Sequence, residues 1–466
     1  MRCLVLGVSS VPRWDSEVQV SKKEIGLKYV NELPPWSGKG GFGIEAIKRV
    51  MEYLGNPQDS YPTMHVAGTN GKGSVSAAIS SILGSAGYCV GLNASPHLVR
   101  LNERLVIDGY QCSDDLLGEV AYEIKHACER SVTDLSFHEA LTAIAALGMR
   151  EVGVDWGVFE VGLGGRFDAS NVISRPAAVS IVTIDYDHQH ILGDSLVDIA
   201  REKAGIIKPG SAVVTGILPP EVRGLVSEKA KENQLIVFGR DFDARIVKRE
   251  KKGDSIEYWG KNPIDGKPVK FEYVSGLSGE HQAHNLSVAA TMALAVGIPI
   301  SDIQEGLKSV FWPGRIEVVR SQDIDITMDC AHNPAGIKAF LDYVSDCDDE
   351  KIDLTFGVLD TKNWREMLQM LLPKVHTLRL VRPDSERALD LALVEKEIRL
   401  SGMDISIHRY ERDYEQCMHD ILASSENGRA YITGSMYMVG AMRAMLGIEE
   451  KPLWKRAMAN QKRIEN

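Results

Sequence analysis

The sequence predicts an α/β fold in two units: an N-terminal domain with a mostly parallel sheet, and a smaller C-terminal Rossmann-like α/β domain. Three observations predict it. Short β-branched runs alternate with helical segments, the pattern of a parallel sheet covered by helices. One glycine-rich word, Gly68-Thr-Asn-Gly-Lys-Gly-Ser74, joins such a run to such a segment. The alternation stops over residues 240–275 and restarts after Phe311-Trp-Pro-Gly314, as a hinge before a second unit would require.

In chain order, residues 1–40 read as a lead-in that ends in loop chemistry, Asn31 to Gly41, rich in Gly and Pro. A helix follows over Ile44 to Leu54, with Ile44, Ile47, Met51 and Leu54 on one face, and Gly55-Asn-Pro57 stops it. Strands are expected at Thr63–Ala67, Tyr88–Leu92, Trp156–Val161, Ala177–Ile184 and Ser211–Thr215. Helices are expected at Val75–Ala86, Phe137–Leu147 and Leu196–Ala204. Alternating polarity over 240–275, with Lys252-Gly-Asp254 between the segments, predicts antiparallel hairpins, and a helix at 281–297 ends at Gly297-Ile-Pro299. Beyond the hinge come strands at Asp325–Asp329, Ile352–Val358, Thr377–Val381 and Ala430–Ile432, and helices at Gly336–Val344, Trp364–Leu372 and Met438–Leu446. The expected boundaries are a lead-in at 1–40, a nucleotide-binding domain at 41–312, a second domain at 313–450 and a mixed-charge tail at 451–466.

Composition narrows the function classes. A chain of 466 residues is too long for one ordinary core. A formal net charge of −11 disfavours nucleic acid, because such a surface repels phosphate backbones. The seven cysteines, Cys3, Cys89, Cys112, Cys128, Cys330, Cys347 and Cys417, are scattered and contain no C-x-x-C pair, which argues for reduced thiols rather than a disulfide framework or zinc site. The apolar stretch Cys3 to Val8 is too short for a signal peptide, and no run approaches the roughly 20 apolar residues of a membrane span. The expectation is a cytoplasmic protein with no membrane partner.

The glycine-rich word carries the first chemistry. Gly68, Gly71 and Gly73 let the backbone wrap a phosphate chain with its N–H groups inward, and the helix start adds partial positive charge. Lys72 can reach outer phosphates, and Ser74 can offer its hydroxyl to Mg²⁺. Thr69 and Asn70 complete the loop. The first unit is therefore read as a P-loop ATPase domain, although the spacing departs from G-x-x-x-x-G-K-[ST]. Glu160 ends an apolar strand, where open parallel sheets place their ligands, and its carboxylate suits a hard cation.

The wording of this loop resembles the ATP loop of the Mur-ligase superfamily, and within it the folylpolyglutamate synthase and dihydrofolate synthase branch. Further words in the same order support the resemblance. They are Ser95-Pro-His-Leu98 with Glu103-Arg104, Gly162-Leu-Gly-Gly-Arg-Phe-Asp-Ala-Ser-Asn171, Asp187-His188, Arg201-Glu-Lys-Ala-Gly-Ile206, His281-Gln282 with Asn285, Asp329-Cys-Ala-His-Asn-Pro334 and Thr433-Gly-Ser435. The resemblance implies an ATP-dependent ligase that forms an amide through an acyl phosphate. It implies Ser74, Ser95, Glu160, His188 and a carbamylated Lys203 as holders of two Mg²⁺ ions; on sequence alone Lys203 reads as a solvated helix residue. It places Asn285 at adenine, Arg315 at the ATP phosphates, and Asp329 and His332 at the nucleotide and reaction centre. Arg166, Asp168 and His138 fall to the substrate side. The implied partners are L-glutamate and a folate or pteroate, acting on a monomer.

Two features depart from the family pattern. The lead-in is long, and Ser136-Phe-His-Glu139 carries His138 where an aromatic or apolar residue is expected. Two alternatives stay open on the sequence: a Mur-type ligase for a non-folate carboxylate, and a nucleotide-binding module that has lost catalysis.

Overall fold

The computed structural model describes residues 21–34, 43–249, 253–347, 350–424, 428–448 and 451–457. Readings that fall on residues 1–20, on Pro35 to Gly41, on Lys252 and on the tail beyond residue 457 lie outside the described residues.

The first unit is built on an eight-stranded sheet. Its strands are β1 (Thr63–Ala67), β2 (Val90–Asn93), β3 (Leu105–Ile107), β4 (Tyr110–Gln111), β5 (Trp156–Glu160), β6 (Ala178–Ile181), β7 (Ala212–Thr215) and β8 (Gln234–Val237). The order is β4-β3-β2-β5-β1-β6-β7-β8. The six strands from β2 to β8 run parallel, and β3 and β4 add an antiparallel edge. β1 sits between β5 and β6, so the chain leaves it towards one side of the sheet and later returns on the other. A crevice therefore opens at the carboxyl ends of these three strands, the place where such sheets bind ligands. The strands β9 (Phe242–Lys248), β10 (Ser255–Lys261) and β11 (Pro268–Val274) form a separate antiparallel sheet, as the alternating polarity of 240–275 predicts.

The helix Lys72–Ser85 is buried along its length from Gly73 to Gly84. Its small residues explain how. At Gly306 of the helix Ile300–Ser309, an added Cβ would lie 2.4 Å from the Ile82 backbone, and Ser81 Oγ donates to the Gly306 carbonyl at 2.7 Å. Only residues without bulk allow backbones this close, and the hydroxyl satisfies itself on the neighbour's carbonyl.

The second unit holds β12 (Glu317–Ser321), β13 (Ile324–Met328), β14 (Ile352–Phe356), β15 (Val375–Leu380), β16 (Ser406–Arg409) and β17 (Arg429–Thr433), in the order β12-β13-β17-β14-β15-β16. All neighbours are parallel except β12, which hairpins onto β13. The four strands expected here are present, and β12 and β16 are additions at the two edges.

One reading changes. Within the lead-in, Lys22–Glu32 is a helix with a Ser21/Glu24 capping box, so Asn31 and Glu32 are helical rather than loop. It crosses the helix Asp114–Ser131 at Gly26 and Gly118, where an added Cβ on either glycine would strike the other helix's backbone. The described part of the mixed-charge tail packs against the first unit. Trp454 is 1% exposed and fits against Gly84, while Leu453 N donates to Gly109 O and Ala457 N donates to Gly84 O. No described helix is long and apolar enough to cross a membrane.

Candidate active site

The loop Gly68–Ser74 lies between β1 and the helix Lys72–Ser85. Gly71 has φ +83°, a conformation glycine adopts without strain. The loop is tied to the end of β6: Thr69 N donates to Thr183 O, Asn70 N donates to Thr183 Oγ1, and Thr69 Oγ1 donates to Asp185 O, at 2.9, 2.9 and 3.1 Å. Lys72 Nζ donates to Thr69 O at 3.2 Å. Removal from bulk water lowers the Lys72 pKa, against the opposing pull of Glu160 and Asp187.

Glu160, at the end of β5, is 6% exposed and accepts Ser95 N at 3.1 Å. Burial raises its pKa, opposed by Lys72, Ser95 N and Arg315. Ser95 Oγ is buried without a hydrogen-bond partner. Ser74 is buried in the first turn of the loop helix. Lys203 departs from its sequence reading as a solvated residue. It is 4% exposed, and its Nζ donates to Gly68 O at 2.9 Å. Burial and the Lys72 cation push its pKa down to about 7. The helix Leu196–Lys203 ends at the base of the loop, so its last residue has no solvent to enter.

The second unit faces this loop. Arg315, Asp329 and His332 line the same cavity as Lys72, Ser74, Ser95, Glu160, His188 and Lys203. The cavity measures about 1190 Å³. Asp329 accepts Ile316 N and Ala331 N at 3.0 and 2.9 Å, and burial raises its pKa. His332 Nδ1 donates to Cys330 O at 2.9 Å, and burial together with Lys362 pushes its pKa down to about 4. Asn333 Nδ2 donates to Asn70 Oδ1 at 3.0 Å, which bonds the second unit directly to the phosphate loop. Asn285, in the helix Glu280–Ala295, meets the loop from another side: an added Cβ on Gly71 would lie 2.4 Å from its Oδ1.

Arg166, by contrast, is not in the cavity wall. It pairs with Glu202 at 2.9 Å and covers the Phe167 ring. Asp168 lies behind the wall, buried, and holds His138 Nε2 at 3.1 Å, while His138 itself lines the cavity.

Lys362 escapes a reading by motif, and Asp187 and Arg104 stand in quoted words without an assigned role. Asp187 pairs with Lys362 at 2.8 Å and lies 3.7 Å from His188 and 3.8 Å from His332. Those charges hold its acid well below the usual carboxylate range. His188, with φ +52°, is pushed down to about 4 by burial, which leaves a neutral imidazole. Arg104 also lines the wall and donates from Nε to His97 Nδ1 at 3.1 Å. The available signal was position: Lys362 follows β14 and Asp187 follows β6, both at carboxyl ends of parallel strands.

Comparison with known proteins agrees with this geometry. Residues 66–293 match the Mur ligase middle domain, and residues 314–436 match the Mur ligase glutamate ligase domain. The folylpolyglutamate synthase of Lacticaseibacillus casei is 31% identical over 439 residues, spanning 90% of this chain and 97% of that protein. This chain belongs to the folylpolyglutamate synthase and dihydrofolate synthase family of Mur ligases. The dihydrofolate synthase/folylpolyglutamate synthase of Bacillus subtilis is likewise 31% identical, over 418 residues, covering 87% of this chain and 95% of the relative. A Mycobacterium tuberculosis folylpolyglutamate synthase solved with ADP and AMPPCP superposes with a TM-score of 0.78 at 28% identity, covering 88% of this chain and 96% of that one. The chain is an ATP-dependent ligase of this family.

Proposed function

We propose that the enzyme joins L-glutamate to a folate-type carboxylate, either dihydropteroate or a folate already carrying glutamate, through an acyl phosphate. The observation that carries this reading is the meeting of the phosphate loop with Asp329, His332 and Asn333 across one cavity, bonded directly at Asn333–Asn70. A carboxylate resists attack by an amine because oxide would have to leave; phosphorylation gives it phosphate as leaving group. The chain's part is positioning and charge neutralisation. Loop N–H groups, Lys72 and Arg315 neutralise the transferring phosphoryl group, and Asn285, which lies beside the loop, is the residue for adenine. Asp329, fixed by two backbone N–H groups, orients the turn that carries His332. Cavity walls from both units exclude water that would hydrolyse the acyl phosphate. The matched ranges 66–293 and 314–436 support reading 41–312 as the ATP-binding unit and 313–450 as the glutamate-ligase unit.

Magnesium fits the donors present. Ser95 Oγ is buried and unpartnered beside the buried Glu160 carboxylate, an oxygen pair suited to a hard cation. Among the described residues no three His, Cys, Asp or Glu side chains converge as metal ligands. Ser74, Ser95, Glu160, His188 and a carbamylated Lys203 would hold two ions, and these supply positive charge at the phosphates when bound. A Lys203 amine buried against Gly68 O, with its pKa pushed down to about 7, is deprotonated far more readily than an ordinary lysine, which supports carbamylation.

The test is ADP release by the purified protein with ATP, Mg²⁺ and L-glutamate, with dihydropteroate and tetrahydrofolate supplied separately. Turnover that needs glutamate and one acceptor is expected. No acceptor-dependent release with either compound would overturn the folate assignment.

A further inference from the structure

Arg315 sits on a short turn, Gly314–Glu317, that is fastened at both ends. Gly314 N donates to Glu317 Oε2 at 2.9 Å, and Gly314 O accepts from Cys330 N at 2.9 Å. Ile316 N donates to Asp329 Oδ2 at 3.0 Å. The residues on either side of Arg315 have left-handed backbones, with φ +66° at Gly314 and φ +49° at Ile316. A β-branched residue holds that conformation only where its surroundings impose it. Two carboxylates impose it here. Asp329 and Glu317 are each 7% exposed, and each accepts a backbone N–H of the turn.

Glu317 is held in turn by Arg443. Arg443 Nε donates to both carboxylate oxygens, to Oε1 at 3.1 Å and to Oε2 at 2.9 Å. The Arg443 and Glu317 side chains are 15% and 5% exposed, so salt and water screen the pair little. Arg443 lies on the helix Met436–Met445, 126 positions from Glu317 in the chain. The same helix face meets the first unit. An added Cβ on Gly440, one turn before Arg443, would lie 1.9 Å from Leu98 O, in the loop that carries Ser95. Gly314 fills the corner between them, with Leu98 Cδ2 and Val439 Cγ1 each 3.5 Å from an added Cβ. The Arg315 side chain lines the cavity and donates a long hydrogen bond to Gly314 O at 3.4 Å; among the described residues it forms no ion pair.

We propose that Glu317 and Arg443 are positioning residues for Arg315. Neither side chain lines the cavity. Arg443 fixes the Glu317 carboxylate, Glu317 fixes the Gly314 amide, and the turn so held aims the Arg315 guanidinium at the outer phosphate of ATP. Because the turn is ordered before ATP arrives, binding does not bear the cost of ordering it. The inference rests on the reading of Arg315 as a phosphate ligand and deepens it, by naming the pair that holds the arginine in place.

The test is calorimetric binding of the β,γ-methylene analogue of ATP, and of ADP, each with Mg²⁺. The proteins are the intact wild-type chain, Arg315→Ala, Arg443→Met and the double variant. Arg315→Ala is expected to weaken the analogue about 10- to 100-fold, the effect of losing a charged hydrogen bond, and ADP by less than about threefold. Arg443→Met is expected to weaken the analogue about 3- to 10-fold with ADP nearly unchanged, within the coupling range of residues in one bonded network. The double variant should bind the analogue within about twofold of Arg315→Ala alone, because nothing is left to position. A double-variant loss equal to the product of the two single losses overturns the inference. An Arg443→Met loss that is the same for ADP and the analogue, the sign of a purely structural role, also overturns it. So does Arg443→Met binding of the analogue within about twofold of wild type. Should Arg443→Met fold poorly, Glu317→Gln goes through the same cycle under the same criteria; it keeps an oxygen for Gly314 N and removes the ion pair. An Arg315→Ala variant that binds the analogue as the wild type does sinks the phosphate reading of Arg315 as well, whereas additive losses sink only this inference.

Discussion

Lys203 shows how much one residue's surroundings decide. In sequence it is the last residue of a short amphipathic helix, a position usually solvated. In the fold its amine meets Gly68 O at the base of the phosphate loop, where burial, and then the nearby Lys72 cation, push its pKa down to about 7. Lys203→Ala is expected to cut turnover about 100-fold, as loss of a metal-supporting group does, with partial rescue by short-chain carboxylic acids. Steady-state ADP release with and without added acetate measures it, and unchanged turnover removes the carbamate from the mechanism. Glu160 makes a second case. Its carboxylate is buried beside an unpartnered hydroxyl, so Glu160→Gln should raise the Mg²⁺ concentration for half-maximal rate by about 10-fold or more. A Mg²⁺ titration with unaltered half-saturation would exclude Glu160 as a ligand.

At the scale of elements, the phosphate loop is held by what packs on it. Gly71 is doubly constrained, by φ +83° and by Asn285 Oδ1 lying 2.4 Å from any added Cβ. Gly71→Ala should therefore cost about 1–3 kcal/mol of stability and raise the KM for ATP more than the KM for glutamate. Chemical unfolding together with initial rates reads both, and equal rises in the two KM values would argue against a local effect on the loop. Gly73 is constrained differently: its Cβ position lies 2.8 Å from Trp312 Nε1, so the hinge side chain rests on the loop helix.

Across the whole molecule, two chain segments connect the first unit to the second, beside the side-chain links already described. The hinge Phe311–Gly314 is one connection. The other is the return of the chain after the helix Met436–Met445, which inserts Trp454 beside Gly84 and bonds Leu453 O to the Phe311 amide. Arg456 adds ion pairs to Asp108 and Asp155 at 3.3 and 3.9 Å. Trp454→Ala should destabilise the protein by about 3–5 kcal/mol, the usual cost of emptying a large buried aromatic site. The unpaired Trp454 Nε1 argues for the lower end of that range. Denaturant unfolding of the intact chain measures it, and a loss below about 1 kcal/mol would mean the segment is only loosely seated.

What the sequence determined by itself was local. The strand–helix alternation, the glycine loop between a strand and a helix, the antiparallel insert and the restart beyond Trp312-Pro-Gly314 all follow from residues near one another in the chain, because periodicity and turn chemistry act over short separations. The words of the candidate site were legible for the same reason. Tertiary structure decided which words face each other. Asn333 and Asn70 meet across 263 positions, Lys362 finds Asp187 across 175, and no local pattern encodes either pairing. It also decided burial. Lys203 reads as a solvated residue from its neighbours in sequence, and the Lys22–Glu32 helix and Trp454 lie in a lead-in and a tail given no packing role, yet each packs against an element far away in the chain. Arg166 shows the reverse, a residue inside a chemical word whose side chain is drawn off to Glu202 on the helix Leu196–Lys203.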